Sequence, residues 1–339
     1  MTSTIGERST LTSVKTPVED ERVEWFAERF AEVASNVETV IQGKRDVIDL
    51  VLSALFAEGH VLIEDVPGVG KTLLAKSIAR SIDCTFHRIQ FTPDLLPSDV
   101  TGVSVWDRQA SEFIFKPGAI FANIVVGDEI NRASPKTQAA LLEAMEERQV
   151  TSDGVTRELG APFMVVATQN PLEHEGTYPL PEAQLDRFTM RVRIGYPTRE
   201  KELEMMNTHG VRSGFHDLTP VISADDVVAM IDVARRIHVA PSVQGYIISL
   251  VEASRRHEEL LLGASPRSSL ALQRLARVRA AVEGREYVTP DDVKALAAPT
   301  MAHRMALRPE AQMRGTAIED VLASVLRNLT VPGSSRMAT

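Results

Sequence analysis

Asp65-Val66-Pro67-Gly68-Val69-Gly70-Lys71-Thr72 is the segment of this chain best suited to chemistry. Gly68 and Gly70 let the main chain curl closely, so that its N–H groups converge on an anion. Lys71 can reach the β- and γ-phosphates of a nucleotide, and the Thr72 hydroxyl can ligate Mg²⁺. Pro67, Val69 and Leu73 complete the stretch expected around the phosphates. The phosphate-loop consensus opens with Gly, and here that position is Asp65. The plainer alternative, an ordinary strand–turn–helix connection, leaves the glycines and the adjoining Lys-Thr pair unexplained.

Hydrolysis needs a metal ligand and a group that orients water. Ile124-Val125-Val126-Gly127 is an apolar strand running into Asp128 and Glu129. Asp128 is expected to face Thr72 and hold Mg²⁺ through a water, with Glu129 polarising the attacking water. Val165-Val166-Ala167-Thr168-Gln169-Asn170 is a second apolar strand with a polar tip, and Asn170 is expected to position the same water. Arg187 and Arg267 stand at element boundaries, where a guanidinium can read a γ-phosphate. Read alone, Asn170 before Pro171 is a turn former and a lone surface arginine is merely solvated.

The elements that must carry these residues alternate. Strand candidates are 60–64, 85–91, 123–127, 163–168 and 188–194, with helical patterns over 71–82 and 135–148 among them. That alternation predicts an α/β fold with a largely parallel sheet covered on both faces. Helices are expected at 24–33 and 46–57 as well. Two hairpins interrupt the pattern: 103–106 with 112–115, and 149–152 with 155–159 across an Asp153-Gly154 turn. Beyond Tyr196-Pro197 no clear strand recurs, and helix starts follow one another at Ser223, Ser265-Pro266 and Thr289. The expected division is a tail over 1–20, a core over 21–197, a helical domain over 198–332 and a tail over 333–339.

The 339 residues are 44% hydrophobic and 24% charged, the balance of a soluble globular chain. A net charge of 37 − 46 = −9 argues against a dedicated nucleic-acid surface. The single cysteine, Cys84, excludes an internal disulfide framework and a cysteine-based zinc site. No apolar run is long enough to span a bilayer, so a cytoplasmic protein is expected.

Taken together, the pattern resembles the AAA+ ATPases, and among them the MoxR family. The resemblance rests on residues 63–72, Asp128-Glu129-Ile130-Asn131-Arg132-Ala133, Ala167-Thr168-Gln169-Asn170-Pro171, the stretch 175–188 and Gly263-Ala264-Ser265-Pro266-Arg267, in family order. It implies an ATPase core with strand order 5-1-4-3-2, a C-terminal helical lid and a ring, commonly a hexamer. Asp65 is tolerated in that family's phosphate loop, whereas Gly127 is smaller than usual and raises a packing question. By position, Asn170 is the sensor 1 residue, Arg187 the arginine finger and Arg267 the sensor 2 residue. Arg132 competes with them, and whether each acts within its own subunit or across an interface stays open. Ile41-Gln42-Gly43 matches the segment bordering adenine.

The resemblance further implies ATP and Mg²⁺ as cofactors. It also implies chaperone-like remodelling or maturation of protein complexes beside a partner with a von Willebrand factor A domain. A nucleic-acid motor of the same clade is the alternative, but the hairpin turns carry Asp107, Glu112 and Asp153 where cations would be needed. A nucleotide-switched scaffold is a third reading, although Glu129, Asn170 and Arg187 leave no reason for dead chemistry.

Overall fold

The computed structural model describes residues 20–171, 176–209 and 214–332. The tails expected at 1–20 and 333–339 lie outside the described residues except for Asp20, which begins a helix; Glu175 lies outside them too.

Five core strands, β1 (Val61–Glu64), β2 (Phe86–Gln90), β3 (Ile124–Asp128), β4 (Met164–Gln169) and β5 (Met190–Val192), form one parallel sheet. Their order, β2-β3-β4-β1-β5, is the expected 5-1-4-3-2 arrangement. β1, β3 and β4 bury both faces, which accounts for their continuous apolar runs. β2 is an edge strand: Ile89 is buried, while Arg88 and Gln90 share the opposite face. Because every strand runs the same way, all carboxyl ends meet along one edge of the sheet and all amino ends along the other.

Gly127 answers the packing question. A Cβ there would lie 2.9 Å from the edge of the Phe91 ring, itself fully buried, so that ring takes the space of a side chain. The N-terminal helix runs Asp20–Glu38, longer than the expected 24–33, because Ala34 and Val37 extend its buried stripe. Its Phe26 and Phe30 rings meet Phe56 from the next helix, Arg45–Phe56, at 5.4 and 5.7 Å.

Both expected hairpins form, as Gly102–Asp107 with Glu112–Pro117 and Gln149–Ser152 with Val155–Glu158. Asp153 and Gly154 both take positive φ, as a two-residue turn between right-twisted strands requires. In the C-terminal region Ser223, Ser265 and Thr289 cap their helices as expected, accepting N–H groups from Asp226, Arg267 and Asp292. One feature there carries no sequence signal. Leu260–Leu262 pairs antiparallel with Ala306–Leu307, and runs this short are too brief to show alternation. A single apolar cluster joins sheet, N-terminal helices and helical region.

Candidate functional site

The phosphate loop leaves β1 at the carboxyl edge and enters the helix Lys71–Ser81 through Gly70 in the left-handed conformation. Gly68 and Gly70 have φ of +85° and +91°, and a Cβ on either would meet nothing within 4 Å. The loop is therefore open beside both glycines, as main-chain N–H groups approaching an anion require. Lys71 Nζ donates to the Asp65 carbonyl at 2.6 Å, holding the cation over the loop.

Asp65 has a role of its own. Its Oδ1 accepts the Val66 N–H at 2.8 Å, and its Oδ2 accepts those of Ile194 at 2.7 Å and Gly195 at 2.6 Å. The carboxylate therefore ties the start of the phosphate loop to the chain leaving β5. That exit segment is also gripped by Lys44, whose Nζ donates to the carbonyls of Ile194 at 2.6 Å and Tyr196 at 2.8 Å. Lys44 and residues 194–196 are thus tied to the start of the loop through Asp65. Ile41 is buried in the core, and Gln42 keeps a buried Oε1 without a hydrogen-bond partner among the described residues.

The acidic pair lies at the end of β3. Thr72 Oγ1 donates to Asp128 Oδ2 at 3.0 Å, and Thr168 Oγ1 to Oδ1 at 3.3 Å. The expected Thr72–Asp128 juxtaposition is present. Glu129 follows in a left-handed conformation, φ 57° and ψ 52°, its N–H held by Thr168 Oγ1 at 3.0 Å. That turn throws its side chain off the strand axis, where Gln90 and Arg132 hold Oε2 at 3.2 and 2.9 Å. Arg132 therefore engages Glu129. Asn170, buried, closes the same edge at the tip of β4.

Three residues around this acidic pair were not expected from the sequence: Thr168, Arg88 and Gln90. Arg88 Nε donates to Asp128 Oδ2 at 2.6 Å, and Gln90 holds Glu129. The available signal for Arg88 and Gln90 is their i, i+2 spacing on one face of a strand beside the strand that ends in both acids. The Thr72 hydroxyl and the Asp128 carboxylate are oxygen donors that suit a hard cation, and Arg88 places a side-chain cation on the same carboxylate.

Arg187 and Arg267 are brought together, but elsewhere. Arg187 Nε lies 3.2 Å from Glu146 Oε2, and Arg267 Nη2 pairs with Oε1 of the same carboxylate. Ser265 Oγ donates to both oxygens of Asp186 at 2.8 and 2.9 Å, locking the two arginine-bearing segments to each other. Buried Arg304 adds a bond to the Phe188 carbonyl at 2.7 Å; burial pulls its pKa down to about 10. The cavity around this pair is lined by His60 and Thr189, at the amino ends of β1 and β5. Five residues of strand separate His60 from Asp65, about 16 Å, so the arginine pair and the phosphate loop occupy opposite edges of one sheet.

A parallel sheet in this order, a phosphate loop after β1 and paired acids after β3 define a P-loop ATPase of the AAA+ class. Residues 60–190 match the family described as ATPase family associated with various cellular activities (AAA), and residues 252–325 match the AAA lid domain. Chaperone MoxR1 of Mycobacterium tuberculosis is 40% identical over 87% of this chain and 80% of its own length. Protein MoxR of Methylorubrum extorquens is 31% identical over 86% and 92% respectively. A crystal structure from Cytophaga hutchinsonii, described there as a candidate ATPase, superposes with a TM-score of 0.87 at 38% identity, covering 92% of this chain and 97% of that one. The chain belongs to the MoxR family of AAA+ ATPases.

Proposed function

We propose that the chain hydrolyses ATP and uses the cycle to remodel or mature protein complexes in the cytoplasm, as a homo-oligomeric ring, commonly hexameric, with a von Willebrand factor A domain partner. Residues 21–197 act as the ATPase core and residues 198–332 as its lid. The carrying observation is the placement of the phosphate loop and acids at one edge of the sheet and of Arg187 and Arg267 at the other. A subunit so built completes its site only with the arginines of a neighbour.

In this reading Gly68, Val69 and Gly70 give main-chain N–H groups to the phosphates, with Pro67 and Leu73 shaping the ends of the loop. Lys71 exchanges the Asp65 carbonyl for β- and γ-phosphate oxygens. Thr72 and Asp128 hold Mg²⁺, which when bound offsets charge on those oxygens. Ile41, Gln42 and Gly43 border the adenine. Glu129 takes the proton of a water oriented by Asn170. The water oxygen bonds to the γ-phosphorus, and the bond to the β–γ bridging oxygen breaks. The neighbour's Arg187 and Arg267 leave Glu146 to meet the charge that develops.

Protein clients fit the hairpins better than nucleic acid does. Trp106 and Phe113 pair edge-to-face at 5.1 Å and are 49% and 71% exposed, with Val105 and Ile114 exposed beside them. Such a surface buries apolar area against polypeptide rather than neutralising phosphate.

Subunit mixing tests the shared site. Arg187→Ala and Lys71→Ala proteins should each be nearly inactive, and their mixture should regain turnover at interfaces that pair an intact phosphate loop with an intact arginine. A mixture with no regain would remove the cross-interface reading.

A further inference from the structure

A cavity of about 290 Å³ opens where core and helical region meet, and Arg274 lines it together with Arg187, Arg267 and Arg304. Arg274 follows Arg267 by seven residues on the helix Pro266–Val282, about 10 Å along its axis and nearly in line with it. Arg187 and Arg267 are compensated by Glu146, and Arg304 lies 3.6 Å from Asp186. Arg274 differs from them. Among the described residues its side chain has no hydrogen bond or ion pair. One turn on lies Arg277, whose pKa burial and then the charge of Arg274 pull down, and whose buried Nε has no hydrogen-bond partner among the described residues.

Arg274 is exposed on a cavity wall whose acids are already engaged, Glu58 by Arg148 and Arg235, Glu146 by Arg187 and Arg267, and Asp186 by Ser265, so an anion arriving from outside gives it a counter-charge that the cavity does not. The cavity already holds the two arginines assigned to a neighbour's nucleotide. A triphosphate carries several negative charges within a few ångströms, enough for a further cation. We propose that Arg274 is a third arginine acting across the ring interface, contacting the phosphate oxygens of the ATP held by the adjoining copy. This rests on the cross-interface reading of Arg187 and Arg267. Because Arg274 has no acid to leave, it is free to engage the phosphates first. Arg187 and Arg267 must each break with Glu146 before they can follow.

The test uses the full chain and three readouts: turnover, affinity for a fluorescent ATP analogue, and assembly by native mass spectrometry. Arg274→Ala should lower turnover about tenfold or more, with analogue affinity changed by less than about twofold and assembly unchanged. Arg274→Lys, which keeps the charge but not the fork, should fall between. Mixed with Lys71→Ala, the Arg274→Ala protein should regain turnover, as Arg187→Ala does. Turnover of Arg274→Ala within about twofold of the parent overturns the proposal. So does a loss that Lys71→Ala does not relieve while the Arg187→Ala mixture regains activity. If the Arg187→Ala mixture also stays inactive, the cross-interface reading itself fails and Arg274 falls with it.

Discussion

The guanidinium of Arg88 sits on the carboxylate of Asp128, Nε to Oδ2 at 2.6 Å, while Thr72 reaches the same oxygen at 3.0 Å. A side-chain cation thus holds the acid expected to face Mg²⁺. It reaches there from the edge strand, with about half of its side chain in solvent, so it can withdraw. Arg88→Gln removes that competing charge. The Mg²⁺ concentration that half-saturates binding of a fluorescent ATP analogue should then fall about threefold or more, with Arg88→Lys close to the parent. An unchanged or higher requirement in Arg88→Gln contradicts the competition.

Asp65 stands where the phosphate-loop consensus has Gly, and restoring the consensus should do harm. Asp65→Gly leaves the N–H groups of Ile194 and Gly195 without their acceptor, at a cost of about 2–4 kcal/mol in stability. Affinity for ATP should fall as well, because the tie between the loop and residues 194–196 is lost. Urea unfolding and analogue binding measure both effects.

Gly127→Ala forces a methyl against the Phe91 ring edge and should cost about 1–3 kcal/mol in stability. Adding Phe91→Leu, which removes that edge, should recover part of the loss. A single variant with the parent's urea midpoint would mean that the ring yields freely.

Burial holds the His60 imidazole neutral down to about 4 and that of His303 down to about 3, against an ordinary value of 6.5. His60 accepts the Val165 N–H at 3.0 Å and meets the Met145 carbonyl at 3.0 Å, so protonation would break the bond joining β1 to β4. The unfolded chain takes up both protons near pH 6.5 and the folded chain does not. Their stabilising effect is complete above about pH 6.5 and is lost as pH falls towards 4, each group adding up to about 1.4 kcal/mol per pH unit to the slope. Thermal midpoints between pH 7 and 4.5 should drop more steeply in the parent than in His60→Gln.

The strands and the carboxyl-edge chemistry are legible because they are written locally, whereas the sheet order comes only with the family resemblance. Lys71 and Thr72 adjoin the glycines, and Asp128 and Glu129 end an apolar run. What was not legible depends on contacts distant in sequence. Asp65 meets Ile194 across 129 positions, and nothing near Asp65 announces that partner. Arg88 and Gln90 read as the solvated face of a strand until the neighbouring strand is known. Arg187 and Arg267 could be suspected as phosphate readers. Their edge follows only from the fold, which sets Ser265 against Asp186 and gives both arginines one carboxylate.

Steady-state ATP hydrolysis across a protein concentration series, with Glu129→Gln alongside, tests the central claim most directly. Sites shared between subunits predict a rate per subunit that rises with concentration as rings assemble. They also predict that Glu129→Gln binds ATP but turns it over about a hundredfold more slowly or less. A rate per subunit that is flat with concentration would contradict the shared site, and parent-like turnover in Glu129→Gln would contradict the role of that carboxylate.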